Sequence, residues 1–326
     1  MSGLSADAPA TTPPAPAPAA PRPARAGRWR RLFASNPVVA KELRGRMRGP
    51  RAFVVLTVYL LLMSSFVTLL YVVYVASTTS VYSGTNAQLI GKFVFGAVVG
   101  IELLLVCFIA PAFTAGAISG ERERQTYDLL RTTLLPAHAL VLGKLASALS
   151  YILLLLVAAF PLQSLAFLLG GVAPEEVLIA SGLLIATAFL FATSGIFFSS
   201  LMRRTLGSTV LTYAFALMGT LGLPLILVAL VPLGSLFLNN APPGAATETV
   251  LFYAFGALIA INPIATAVTT EVLLINQQSA FYFTVPLSNG GTLPFISPWL
   301  PFMLFCFVAG AVMTMVSILA VRRAEK

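Results

Sequence analysis

AFVVLTVYLLLMSSFVTLLYVVYVA, residues 52–76, runs for 25 residues without a charged side chain. As a helix rising 1.5 Å per residue it is about 38 Å long, more than the roughly 30 Å of a bilayer's hydrocarbon core. Nearly uncharged stretches of similar length follow at about 92–118, 138–169, 177–201, 207–234 and 298–321. The whole 326-residue chain is 58% apolar and only 10% charged, with a mean hydropathy of +0.92. A soluble domain carries about 25% charged residues. The sequence therefore predicts an all-α polytopic membrane protein with six transmembrane helices over residues 52–321.

The charges between these stretches set an orientation. Of 20 lysines and arginines, ten precede the first span. Arg122, Arg124, Arg131 and Lys144 follow the second, Arg203 and Arg204 the fourth, and Arg322, Arg323 and Lys326 the last. Only Lys92 falls on the other side, together with Glu175, Glu176, Glu248 and Glu271. Cytoplasmic loops carry the excess of Lys and Arg. Both termini, including the basic end 322–326, are thus expected in the cytosol, with the chain multi-pass in the plasma (cytoplasmic) membrane. The number of crossings is then even. Residues 249–270, TVLFYAFGALIAINPIATAVTT, would make a seventh, but Asn262-Pro263 leaves only about a dozen apolar residues before the break, too few to span. Residues 236–297 read instead as an extracytosolic excursion with re-entrant or interfacial helices, which are tolerated where protein covers the freed backbone groups.

Ahead of the spans lie two different segments. Residues 1–34 include APATTPPAPAPAAPRPARA (8–26), whose proline density forbids regular helix and leaves nothing to bury. With no apolar signal core, this is expected to be a disordered cytosolic tail, its arginines attracted to anionic lipid. No folded basic surface accompanies them, so no nucleic-acid partner is expected. SNPVVAKELRGRMRGPRAF (35–53) has Ser35 or Asn36 as N-cap and Pro37 in the first turn. Val39, Leu43 and Met47 share one face, and Lys41, Glu42, Arg44 and Arg48 lie among the remaining positions. This suits an interfacial elbow helix over 35–51 in the headgroup plane, or a plain positive-inside flank.

Several chemistries are excluded. Cys107 and Cys306 each sit within a span and read as packing residues. His138 is the only histidine, too few for a zinc site or an HExxH protease. Gly91-Lys92 and Gly143-Lys144 lack the rest of a Walker A loop. No catalytic residue, metal or bound cofactor is expected on this chain.

Glu102 is the one acidic residue within a span, and an ionisable group there is a functional hypothesis by default. It could line a transport pathway, relay a proton, or bond Ser208, Thr209 or Thr212. It could equally face an aqueous vestibule. In the same span Gly96-x-x-x-Gly100 and Ala112-x-x-x-Gly116-x-x-x-Gly120 permit close helix approach.

The most informative loop is ISGERERQTYDLLRTT, 118–133, in the connection 119–137. Gly120 is expected to break the chain after span two. Glu121, Arg122, Glu123 and Arg124 alternate in charge at the membrane boundary, braced on the elbow's arginines. Thr126 is then a candidate N-cap for a short helix in which Tyr127, Asp128, Leu129, Leu130 and Arg131 leave an apolar edge exposed. Such an edge suits docking to a soluble partner. A merely solvated loop fits the same residues.

PAFTAGAISGERERQTYDLLRTTLLPAHALVLGKL, 111–145, resembles the signature segment of ABC exporter permeases of the type-2 class. NPVVAKELRGRMRGPRAF is similar to their elbow. The resemblance runs from about residue 36 to the end in motif order and span number. It implies a membrane permease subunit paired with a second permease, identical or related, within membrane lipid. It also implies a separate ABC ATP-binding subunit, which carries ATP and Mg and docks on a coupling helix between Glu121 and Thr133, chiefly on Thr126, Tyr127, Leu129 and Leu130. The excursion at 236–297 is longer than the simplest family pattern. An ABC-linked complex that signals or assembles without moving a solute would use the same loop. A channel or secondary transporter would show inverted repeats or charged relays, and the sequence has neither beyond Glu102.

Overall fold

The computed structural model describes residues 50–78, 87–125, 136–222, 224–226, 228–229, 245–277, 279–287 and 290–324. The tail 1–34, nearly all of the elbow (Lys41, Glu42, Arg44 and Arg48 included) and residues 126–135 lie outside them.

Helix α1 (Pro50–Thr78) starts on Pro50, whose fixed φ and missing N–H suit a first helical position. It is followed by α2 (Ala87–Thr114), the short α3 (Ser119–Glu123), α4 (Ala137–Leu169), α5 (Pro174–Leu201) and α6 (Thr205–Leu217). A π-helical turn, Met218–Gly222, continues α6. Then come α7 (Ala245–Ile259), α8 (Pro263–Gln277), strands β1 (Tyr282–Pro286) and β2 (Thr292–Ile296), and α9 (Trp299–Ala324). Six of these are long and apolar enough to cross a membrane: α1, α2 run together with α3, α4, α5, α6 with its π-turn, and α9. The chain is a multi-pass, all but wholly helical membrane protein.

Helix α5 is the hub. About 61% of its most apolar window is buried, against 17% for α1 and 18% for α6, so α1 and α6 are peripheral. α5 packs along α9 and α2 and touches α4 and α6. Leu184, Ala188, Phe191, Ala192 and Ile196 on α5 meet Leu103, Val106 and Ala110 of α2 in one core cluster. Two glycines permit the close crossings: a Cβ on Gly195 would overlap the Thr114 side chain, and one on Gly310 of α9 would overlap Phe189. Several hydroxyls in the spans bond back to their own helix, as Thr187 does to the Leu183 carbonyl at 2.7 Å and Thr314 to the Gly310 carbonyl at 2.8 Å, which satisfies them without water.

The chain between α6 and α9 is bent where Asn262-Pro263 interrupts it. Helices α7 and α8 meet at 116°. Each has 15 residues, about 22 Å of helix, short of the roughly 30 Å a crossing needs. Asn262 organises the break. Its Oδ1 accepts the Ala265 amide at 2.7 Å, capping α8, while its Nδ2 donates to the Gly219 and Thr220 carbonyls of the π-turn. Thr266 Oγ1 donates to the Ile259 carbonyl at 2.8 Å. The freed backbone groups of both irregular elements are thereby covered.

One element of the largely helical chain was not expected: β1 and β2 form an antiparallel hairpin, with Tyr282 opposite Ile296 and Phe283 opposite Phe295. Its signal was a short period-2 run of aromatic and β-branched residues before a glycine pair, with Gly290 at φ 81°. Gly120 does not mark the end of the membrane helix. α2 ends at Thr114, a turn occupies 115–118, and Gly120 lies inside α3. Among the other spans, α2 and α5 begin earlier than expected, at Ala87 and Pro174, and α6 with its π-turn reaches Gly222, the last part of the expected 207–234 lying outside the described residues.

Candidate functional site

The turn 115–118 and helix α3 occupy the end of the bundle where α4 begins and α5 passes into α6. In this turn the Ala115 and Ala117 amides reach the nearby Pro111 and Thr114 carbonyls, while those of Ile118 and Ser119 need acceptors from elsewhere. Ser199, in the last turn of α5, supplies them. Its Oγ accepts the amides of Ile118 and Ser119, both at 2.9 Å, and lies 3.1 Å from the Ser119 hydroxyl. All three residues are buried. Ser208 on α6 donates to the Ala115 carbonyl at 2.6 Å. The small-residue series of α2 serves the same junction, since a Cβ on Gly116 would stand 3.1 Å from Thr205 Cγ2.

The charges of α3 turn inward onto this frame. Lys144 of α4, only 4% exposed, donates to Glu121 Oε1 at 2.7 Å. Arg122 donates to the Ser200 carbonyl in the last turn of α5 at 3.0 Å and to the Met202 carbonyl just after it at 3.4 Å. Glu123 accepts the Thr205 amide at 2.8 Å on one oxygen and the Thr205 hydroxyl at 2.7 Å on the other, and so caps α6. Arg124 is exposed, and Gln125 closes α3 in the left-handed region at φ 57°. The stem thus ties α2 to α4, α5 and α6.

Among the described residues Glu121 meets Lys144 and Glu123 meets Thr205; Arg44 and Arg48 of the elbow, on which the sequence suggested they brace, lie outside those residues. Glu121, Arg122 and Glu123 are stem residues, committed to this chain's own bundle. Of the coupling segment's described residues Glu123 and Arg124 are exposed, Glu123 while bonded to Thr205. Thr126, Tyr127, Asp128, Leu129, Leu130 and Arg131 lie outside the described residues. Sequence reasoning missed Ser199, Ser200 and Thr205, and named Ser208 only as a possible partner of Glu102. A polar run, SSLMRRTLGS at 199–208, interrupting two apolar spans was the available signal.

Glu102 belongs to a different place. It is 0% exposed, with neither a vestibule nor Ser208, Thr209 or Thr212 beside it. Those hydroxyls donate to the carbonyls of Ala115, Thr205 and Ser208 instead. Glu102 Oε2 accepts from Gln163 Nε2 of α4 at 2.8 Å. Its Oε1, Gln163 Oε1 and the Tyr59 hydroxyl of α1 are buried with no hydrogen-bond partner among the described residues. An amide inside an otherwise apolar span was the unread signal for Gln163. Cys107 and Cys306 are buried free thiols, each within an apolar cluster.

No protein-family model matches this sequence, and no curated protein is significantly similar to it.

Proposed function

We propose that this chain is the membrane permease subunit of an ATP-driven ABC transporter of the type-2 exporter class. In this reading a separate ATP-binding subunit docks on the segment 126–135, with Tyr127, Leu129 and Leu130 as its anchors, and hydrolyses ATP there. A second permease completes the pathway. The observation that supports it is the clamped stem. A push on 126–135 enters the bundle through α3, whose side chains are bonded to Lys144, Ser200, Met202 and Thr205. It therefore reaches α2, α4, α5 and α6 together. A lever needs such a rigid input and no catalytic residue in the membrane. Placing this end of the bundle in the cytosol follows from its basic charge.

The test is assembly. The full-length chain, co-expressed with an ABC ATP-binding subunit that co-purifies with it, should lose that subunit when Tyr127→Ala and Leu130→Ala are combined. Aromatic and leucine anchors cost about 1–3 kcal/mol each when truncated, so the affinity should fall at least tenfold. An unchanged Kd together with unchanged cargo-stimulated ATP hydrolysis would remove the docking segment from the mechanism.

A further inference from the structure

At the end of the bundle away from α3, three charged residues from three helices converge. Lys92 stands near the start of α2, Glu176 in the first turn of α5, and Glu271 in the second half of α8. Lys92 Nζ lies 3.1 Å from Glu176 Oε1. Glu176 is only 6% exposed, yet its Oε2 is buried without a hydrogen-bond partner among the described residues. Glu271 Oε1 is likewise buried and unpartnered, and Glu271 feels the charges of both Glu176 and Lys92. Two carboxylates thus share one ammonium. Two buried oxygens are left over, and such oxygens are costly to leave unmatched.

We propose that Glu176 and Glu271 form a proton-binding site, with Lys92 as its fixed counter-charge, and that the bound proton latches α8 onto α2 and α5. One proton makes the cluster neutral and gives the carboxyl pair a donor for an otherwise empty oxygen. The two acids have unequal claims on Lys92. Glu176 takes its direct contact, and the N-terminus of α5 adds favourable dipole for a negative charge there. Glu271 therefore carries the proton. Burial raises the Glu271 carboxyl above its ordinary range, the Glu176 carboxylate raises it further, and Lys92 opposes them.

Glu175, next to Glu176 on α5, is exposed, and among the described residues the charges acting on Glu271 are those of Glu176 and Lys92. α9 reaches α8 with apolar side chains and the Cys306 thiol, its Arg322 and Arg323 being at the far end. The π-turn has no titratable residue. On α7, Glu248 lies at the end away from the bend, and Tyr253 donates its hydroxyl to Pro294.

The direction of the pH effect follows. Docked α8 binds the proton more tightly than α8 swung free, where Glu271 regains water and an ordinary carboxylate range. Docking is therefore complete at acidic pH and weakens as pH rises from that ordinary range through the raised one, by up to tenfold in the equilibrium constant per pH unit. The latch would hold the α7–α8 pair closed against the spans when the solution on that side is acidic and release it on the alkaline side.

The experiment uses the full-length chain in lipid nanodiscs, spin-labelled at Val272→Cys on α8 and Leu178→Cys on α5. Both positions are exposed, and Cys107 and Cys306 are replaced by alanine. Pulsed electron–electron distances are recorded between pH 5 and 9. The docked population should fall with rising pH. Glu271→Gln, which keeps the docked form neutral, should hold it docked throughout. Glu176→Gln should also flatten the profile, because Lys92 then serves Glu271 alone, and it remains decisive if Glu271→Gln fails to fold. An unchanged wild-type distance at every pH, or a profile that survives in Glu176→Gln, overturns the proposal. So does recovery of docking at pH 9 on adding sodium, potassium or calcium, because the site would then take a metal cation.

Discussion

Ser199→Ala isolates the joint on which the stem rests. The hydroxyl of Ser199 accepts two amides, from Ile118 and Ser119, each at 2.9 Å and each in a buried residue. Neither amide has a backbone acceptor among the described residues. Truncation removes one small oxygen and leaves two donors with nothing to bond. A buried donor left unsatisfied costs about 1–3 kcal/mol, so the loss should be about 2–6 kcal/mol, with the lower half of that range if the turn shifts to admit water. The assay is reversible unfolding in mixed micelles, comparing Ser199→Ala with Ser199→Thr, which retains the acceptor. A double-mutant cycle with Ser208→Ala, which frees the Ala115 carbonyl in the same turn, should show coupling above about 0.5 kcal/mol. A Ser199→Ala protein within about 0.5 kcal/mol of wild type would refute the claim that this hydroxyl organises the turn, and with it the rigid input to the bundle.

Two further outcomes are expected. Gly195→Ala should destabilise the bundle by about 1–3 kcal/mol, because the new methyl overlaps Thr114 where α2 crosses α5; Thr114→Ala should recover much of that loss in the same unfolding assay. Glu102→Met combined with Gln163→Leu should leave stability unchanged or raised, since replacing a buried polar pair by apolar side chains of similar volume is often neutral or better. If the double variant folds and assembles but loses cargo transport or cargo-stimulated ATP hydrolysis, the pair acts in the pathway; full activity would make Glu102 a structural residue.

The spans were legible because lipid imposes one rule on every stretch. Backbone groups must be satisfied within the helix, and 20 or so apolar residues must run on without charge. Residues 52–76 obey it, and Pro50 opens their helix. The break at Asn262-Pro263 was legible for a local reason, a proline that cannot continue a helix. What Asn262 bonds was not legible, because its partners at Gly219 and Thr220 sit on a π-turn some 40 residues earlier and no local pattern encodes that meeting. The same holds for the stem. Alternating charges at 121–124 signalled a boundary, but their partners depend on α5 and α6 coming back to the same end of the bundle. The hairpin at 282–296 was missed because a five-residue alternation is a weak signal inside a region already read as helical.

The two ends of the bundle are built on different physics, and this bears on which of them moves. The α3 end is held by hydrogen bonds among serine and threonine hydroxyls, backbone amides and carbonyls, the Glu121 and Glu123 carboxylates, Arg122 and the buried Lys144, which interlock α3 with α4, α5 and α6. Its geometry should therefore be fixed from several sides, as an input element requires. The opposite end holds α8 through a charge cluster that is one proton short of neutrality, so its hold depends on solution conditions. Helices α5 and α2 contribute to both ends, and they cross at Gly195 with no room for a side chain. Rigid-body movement started at the stem must accordingly travel along this crossed pair and arrive at Lys92 and Glu176, where α8 is attached. Cross-linking α2 to α5 near Gly195 should leave stem geometry and local α8 docking intact while abolishing any effect of stem variants on the α8 distances. If Ser199→Ala still shifts the distance between positions 178 and 272 in the cross-linked protein, the signal runs by another route, through α4 or α6.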